Sequence, residues 1–318
     1  MRRYFTHVAV PEATADLEVI AIEQAPPDLG IEFIDWKREP GKTGRKDSYF
    51  DIEGARLVRK VRTGMVFLQS PSTCIAAGPC VQYDNQVINF INAQYMNWLQ
   101  NREWLICHAA GLVTDRGGFG IAGFSGGGKS TLMLHMMEHD EVSYLTNDRL
   151  FIRRDGEATD AVGIPKLPRV NPGTIVHNPR LHSLIAADER DRLLRLPQQE
   201  LWELEDKYDV LMETVYGPGR IAMRSQLSGF LILNWKRDSD EEITLTKIDI
   251  GERRELLQAL MKSPGPFYQY PDGRFFQDTT VLDEAPYLDV LSGVNIYEAS
   301  GRIDFERMTD LCLSEIME

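Results

Sequence analysis

The segment Gly123-Phe124-Ser125-Gly126-Gly127-Gly128-Lys129-Ser130-Thr131 has the residue types and spacing of a phosphate cradle. It matches G-x-x-x-x-G-K-[ST] at every fixed position from Gly123 to Ser130, the pattern of a loop that wraps the phosphates of a nucleotide. Glycines let the backbone curl until successive N–H groups converge on one anion. A helix beginning near Lys129 adds the positive end of its dipole at the same point. Lys129 supplies a point charge to the β- and γ-phosphates, and the Ser130 hydroxyl is a ligand for Mg²⁺. The expected ligands are therefore ATP and Mg²⁺. Gly123, Phe124, Ser125, Gly126, Gly127, Gly128, Lys129, Ser130 and Thr131 form the expected binding set.

Such a loop works only between an entering strand and a leaving helix, and both are present in the pattern. Phe119–Ala122 is an apolar strand, and Lys129–His139 has helical character. The metal also needs a carboxylate from the end of a neighbouring hydrophobic strand. Val142–Thr146 is such a strand, and Asp148 stands just past its end, so Ser130 and Asp148 form the expected metal pair. A plain turn residue is the other reading of Asp148, since Asn-Asp is a common turn pair. Upstream, Trp104–His108 and Leu112–Thr114 read as strands, and Asp115-Arg116-Gly117-Gly118 links the second of them to Phe119–Ala122 as a hairpin. His108 is the candidate for proton transfer, the commonest task of a catalytic histidine. A hydrogen-bonded strand histidine is the alternative. The expected catalytic set is His108, Lys129 and Asp148. Arg149, Arg153, Arg169 and Arg220 are candidate cations for a phosphoryl-transfer transition state. Arg169 and Arg220 stand out because each lies in a Pro/Gly-rich stretch, though exposed structural arginines are common.

These residues resemble the HPr kinase/phosphorylase superfamily, whose nucleotide site is similar to that of phosphoenolpyruvate carboxykinase. Cys107-His108-Ala109-Ala110-Gly111-Leu112-Val113 is similar to the family's histidine-containing strand before the loop. Leu145-Thr146-Asn147-Asp148-Arg149-Leu150 is similar to its paired-acid segment after the loop helix. The resemblance covers residues 100–155 and extends weakly into Ile164–Arg169. It implies a P-loop kinase core of the HPr kinase C-terminal type, transfer of the γ-phosphoryl group to a hydroxyl acceptor, and a homo-oligomer. The chain departs from the family in two places. Asn147 stands where the family's first acid handles the proton of the acceptor serine, and an amide cannot act as a base. The family's downstream Glu-Ile-Arg-Gly-Leu-Gly signature has no counterpart, which argues against phosphorolysis. A nucleotide-dependent switch without an acceptor and a carboxykinase-like metabolic enzyme are the rival readings.

The remaining chain must position this loop. At 318 residues it is long enough for about two domains of ordinary size. Residues 1–82 alternate short apolar runs with turns: Leu17–Ala21, Ile31–Trp36, Tyr49–Ile52, Ala55–Val61 and Met65–Gln69. They read as a small β-rich N-terminal lobe, with a solvated basic loop at Lys42–Lys46, ahead of an α/β nucleotide-binding domain over 83–318. Within that domain, Asn85–Gln100 shows one apolar helical face. Gln198–Glu205, Glu252–Met261 and Asp304–Met317 read as helices, and Leu227–Trp235 and Ile243–Ile248 as strands. A Pro-punctuated loop spans Ile164–Arg180. The net charge of −13 argues against a nucleic-acid partner, which calls for a basic face. Cys74, Cys80, Cys107 and Cys312 lack metal-site spacing and read as buried or semi-buried thiols in a reducing compartment. The basic start, Met1-Arg2-Arg3, has no apolar segment behind it, and no uncharged run of ~18 residues exists to span a membrane. A cytoplasmic location with no membrane partner is expected.

Overall fold

The structure, a computed structural model, describes residues 4–38, 44–124, 126–204 and 206–316. Two units emerge. The first comprises Met1–Trp104 and Ser263–Leu282, the second Leu105–Lys262 and Asp283–Glu318.

In the first unit, β1 (Val19–Glu23), β2 (Ile34–Asp35), β3 (Asp47–Ile52), β4 (Ala55–Lys60), β5 (Val66–Gln69) and β6 (Cys74–Gly78) form a sheet in the order β1-β6-β5-β4-β3-β2. All its pairings are antiparallel except β1 with β6. Helix α1 (Asp84–Gln100) lays Val87 and Phe90 on Val58, Phe67, Cys74 and Ala76. Phe267 completes that core, with its ring 5.1 Å from Phe90 and 5.7 Å from Phe67. The β-rich lobe is thus present, but its limit differs from the expected one after residue 82. The apolar face of α1 is part of this lobe's core, so the division falls after Trp104. The return of 263–282 to the first unit is a non-local contact that local pattern does not carry. The basic loop at Lys42–Lys46 lies partly outside the described residues.

The second unit is α/β, as the sequence predicts. Its strands are β7 (Leu105–Cys107), β8 (Ala109–Thr114), β9 (Gly117–Gly123), β10 (Ser143–Thr146), β11 (Leu150–Asp155), β12 (Ala158–Val162), the short β13 (Arg169–Val170) and β14 (Tyr208–Asp209), β15 (Arg224–Leu233), β16 (Thr244–Ile248) and β17 (Asn295–Ser300). Its helices are α2 (Lys129–Met136), α3 (Pro172–Val176), α4 (Ala187–Leu194), α5 (Gln198–Glu203), α6 (Met212–Tyr216), α7 (Leu257–Leu260), α8 (Ala285–Leu291) and α9 (Phe305–Glu315). The main sheet runs β10-β8-β9-β15-β12-β11-β7, and β17 joins β15 to β16.

Strand β15 is the pivot. Its first residues, Arg224–Gln226, pair with β12, and its later ones lie parallel to both β9 and β17. Phe230-Leu231-Ile232-Leu233 is buried throughout, as a parallel strand covered on both faces should be. Leu231 and Leu233 face a core shared with Leu132 and Met136 of α2 and Met308 of α9. Phe230 and Ile232 face the opposite core, with Leu257 and Leu260 of α7 and Leu291 of α8.

Several elements differ from expectation. Helix α2 stops at Met136 rather than His139. The stretch expected to be one helix over Glu252–Met261 is a 3₁₀ turn, Arg254–Leu256, followed by the single turn of α7. The Pro-rich stretch contains β13, α3 and a 3₁₀ helix at Pro179–Leu184, with Pro172 and Pro179 sitting at helix starts where no N–H is needed. All four cysteines are buried and free. Among the described residues, no helix is long and apolar enough to cross a membrane.

Candidate nucleotide site

Strand β9 ends at Gly123, opposite Leu233 of the parallel strand β15. A Cβ on Gly123 would stand 2.9 Å from that of Leu233, so glycine lets the two strand ends close up. The chain then turns back through Gly126 and Gly128, whose φ angles of +76° and +85° are left-handed and favour glycine. Gly128 is the residue before α2, and a Cβ there would meet the Phe305 ring at 2.7 Å. Lys129 opens the helix and folds back over the loop, its Nζ donating to the Gly123 carbonyl at 2.8 Å. Burial pushes the Lys129 ammonium below its usual pKa, and the nearby Asp148 carboxylate opposes that shift. Phe124 is exposed, and its carbonyl accepts from the Gly127 N–H at 3.0 Å. Ser125 lies outside the described residues.

The strand ends beside the loop bring up the polar groups. Strand β10 pairs antiparallel with β8, which carries its end towards the loop helix. There the Ser130 hydroxyl donates to Asn147 Oδ1 at 3.0 Å. The next residue, Asp148, adopts φ +70°, a conformation that costs a non-glycine residue roughly 1–2 kcal/mol. The turn is held by Thr146, whose hydroxyl donates to the Arg149 carbonyl at 2.9 Å. Asp148 is therefore both a turn residue and a lining residue of the cavity. His108 stands in the break between β7 and β8, with its N–H on the Leu260 carbonyl at 2.7 Å. Its Nε2 is 2.9 Å from Asp148 Oδ1, while Arg149 Nη1 donates to Asp148 Oδ2.

The electrostatics of this pair are asymmetric. Burial would raise the Asp148 carboxyl, but Arg149, the His108 hydrogen bond and Lys262 outweigh it and hold the group well below the usual carboxylate range. For His108, the bond to Asp148 favours the charged form. Burial and the charges of Lys262 and Lys129 outweigh that bond, and the imidazole is pushed below its usual pKa. A neutral imidazole donating Nε2–H to an ionised Asp148 keeps an Nδ1 lone pair free to take a proton.

One cavity of about 960 Å³ is lined by His108, Gly126–Gly128, Lys129, Ser130, Thr131 and Asp148, together with parts of α3, α5 and the start of α9. The fold therefore gathers the expected catalytic set. The expected metal pair shares the cavity walls, but the direct partner of the Ser130 hydroxyl is Asn147, and Asp148 turns to His108 and Arg149. Among the described residues, no three His, Cys, Asp or Glu side chains cluster to hold a metal.

Of the candidate arginines, Arg220 is corrected outright. Its guanidinium is buried under the carbonyls of Met137, His139, Val142 and Tyr216, where it closes the α2–β10 connection. Arg169 lines the cavity but pairs with Asp209 at 3.1 Å across the β13–β14 ladder, and Arg149 is engaged by Asp148. Three residues that local pattern does not reveal also reach the loop. Trp235 Nε1 donates to the Gly127 carbonyl at 2.8 Å, Arg237 Nη2 to that of Gly126 at 3.2 Å, and Phe305 lies against Gly128. Thr174 of α3 sits 3.3 Å from Thr131, hydroxyl to hydroxyl.

No protein-family model matches the chain, and no curated protein matches it. Among solved structures, the Hpr(Ser) kinase/phosphatase from Coxiella burnetii is similar over 67% of this chain and 96% of that one, with 10% identity and a TM-score of 0.35. That is a distant likeness.

Proposed function

We propose that this chain is an ATP–Mg²⁺-dependent phosphotransferase that moves the terminal phosphoryl group to a hydroxyl acceptor, either a Ser or Thr on a partner protein or a small metabolite. The observation that carries this reading is the His108–Asp148 pair, 2.9 Å apart, in the cavity that also contains the glycine loop and Lys129. The loop N–H groups and Lys129 would bind the phosphates, and Ser130 and Asp148 would hold Mg²⁺, which neutralises charge on the β- and γ-oxygens when bound. A glycine cradle with a lysine folded over it fits the phosphates of the nucleotide. Asp148 orients His108, and His108 Nδ1 accepts the proton of the acceptor hydroxyl. The acceptor oxygen then bonds to the γ-phosphorus, and the bond from that phosphorus to the bridging oxygen of ADP breaks.

His108 thus takes the proton-accepting role that Asn147 cannot fill. The experiment is incubation of a lysate with the protein and γ-labelled ATP. Transfer of label to a protein or a metabolite is expected, reduced about 10²–10⁴-fold by His108→Ala, the usual weight of a general base. The bond between Asn147 and Ser130 favours a second reading, a nucleotide-dependent switch that hydrolyses ATP slowly without an acceptor. Free phosphate as the sole labelled product, in the wild type and in Asn147→Asp alike, supports the switch and removes the kinase.

A further inference from the structure

We infer that Trp235, backed by Phe305, is a positioning residue that clamps the phosphate loop in its anion-binding shape, and that its indole reports nucleotide binding. The inference rests on the nucleotide reading of the loop.

A loop that turns its N–H groups inward must turn carbonyls outward, and those carbonyls need donors of their own. Here the donors come from distant segments of the chain. Beyond β15, the Asn234 N–H bonds to the Ala299 carbonyl at 2.9 Å and the Lys236 N–H to that of Gly301 at 3.0 Å. These bonds fix the backbone on both sides of residue 235 against the end of β17. Trp235 is 7% exposed, and its Nε1 donates to the Gly127 carbonyl at 2.8 Å.

Phe305, the first residue of α9, meets Trp235 edge to face, with ring centroids 5.3 Å apart at 89°. Its ring occupies the space a Cβ on Gly128 would fill, and it stacks on His135 of α2 at 5.6 Å and 10°. Asp304 caps α9 by accepting the Arg307 N–H at 3.0 Å, which fixes where Phe305 begins. Three successive loop residues are therefore each gripped from outside: Gly126 by Arg237, Gly127 by Trp235 and Gly128 by Phe305. None of the three grips needs to touch phosphate. They restrict the loop before the anion arrives, and preorganisation of that kind is read out as affinity. The two aromatic rings also tie the loop to the last turn of α2, at His135, and to the start of α9, so a change in loop shape on binding must change the surroundings of the indole.

Trp235→Phe keeps an aromatic ring at the site while removing the N–H donor together with part of the indole. Titration with ATP–Mg²⁺, followed by calorimetry and by tryptophan emission, is the test. Deleting one such hydrogen bond should weaken affinity about 3- to 10-fold. The wild type should show an emission change on binding. The chain has five tryptophans, and most of that change should vanish in Trp235→Phe. If this variant does not fold, Phe305→Leu, which releases Gly128 and the indole together, should weaken binding and alter the emission change. A folded variant that binds with wild-type affinity and keeps the full emission change overturns the clamp alone. A wild type that binds no nucleotide overturns the nucleotide reading, and the clamp with it.

Discussion

Arg56 in the first unit is fully buried and Lys129 in the second is partly buried, and their partners differ in kind. Every edge of the Arg56 guanidinium is engaged by protein. Nε and Nη2 reach Asp51, and Nη1 reaches the carbonyls of Pro266 and Phe276. The rings of Tyr49 and Phe275 lie 4.5 and 4.6 Å from its carbon. Lys129 has one hydrogen-bond partner among the described residues, the Gly123 carbonyl, and it opens onto a cavity. A cation whose donors are all matched within the fold is structural. One left with unmatched donors in a glycine cradle is built for an anion that the protein does not itself supply.

The widest separation between the two should come from removing each in turn. Lys129→Ala should weaken ATP–Mg²⁺ binding by about 2–5 kcal/mol, a tens- to thousands-fold rise in Kd, since it takes away one side of a desolvated charge pair. Its melting temperature should stay near that of the wild type, because a phosphate-facing side chain is not core. Arg56→Ala should do the reverse. It leaves Asp51 without its buried partner and should cost the first unit about 3–5 kcal/mol in denaturant unfolding. ATP affinity at low temperature should remain within about twofold, since the partners of Arg56, at Asp51, Pro266 and Phe276, all belong to the first unit.

A smaller effect is expected from Asp148→Asn. It keeps the size of the residue but loses the charge that orients His108 and holds metal. Mg²⁺-dependent turnover should fall about 10–100-fold, the usual weight of an orienting partner, while metal-free nucleotide affinity holds. Equal turnover across a Mg²⁺ titration would make the acid purely a turn residue.

The mildest effect is in pH. His108 must be neutral to accept a proton, and its folded pKa is depressed, so the competent form persists above the usual histidine range and is lost only as pH falls below it. Asp148, depressed further, stays ionised throughout. The transfer rate should be flat from about pH 7 to 8 and decline only below about 6.5. An acid limb centred above that value would contradict the assignment of His108. The same signs hold for stability. Both groups favour the fold at neutral pH, and that contribution fades as acid protonates first the unfolded His and then the unfolded Asp.

What the sequence reveals of this site is what lies close along the chain. The loop, the hairpin before it, His108 and Asp148 fall within one stretch of strand, loop and helix, where spacing translates directly into position. Trp235 and Phe305 escape notice because they reach the loop through β15 and β17, parallel neighbours far apart in sequence. Strand β17 is itself disguised. Its Glu298 is 7% exposed between the partly exposed Tyr297 and the buried Ala299, matched by Arg253 and Asn234, and a buried acid breaks the apolar signal of a strand. Arg220 shows the opposite failure. An arginine in a Gly-Pro-Gly stretch has the same local signature whether it meets phosphate or, as here, backbone carbonyls. At Glu252–Met261 the apolar spacing is sound, since Leu256, Leu257 and Leu260 are all buried, but the backbone reaches that burial through a tighter turn.

The most direct test is calorimetric titration of the wild-type protein with ATP in the presence of Mg²⁺, with Lys129→Ala alongside. Saturable binding near one nucleotide per chain, lost in a folded Lys129→Ala variant, is the predicted result. A wild type that takes up no ATP at millimolar concentration, or a folded Lys129→Ala that binds as tightly as wild type, would contradict it.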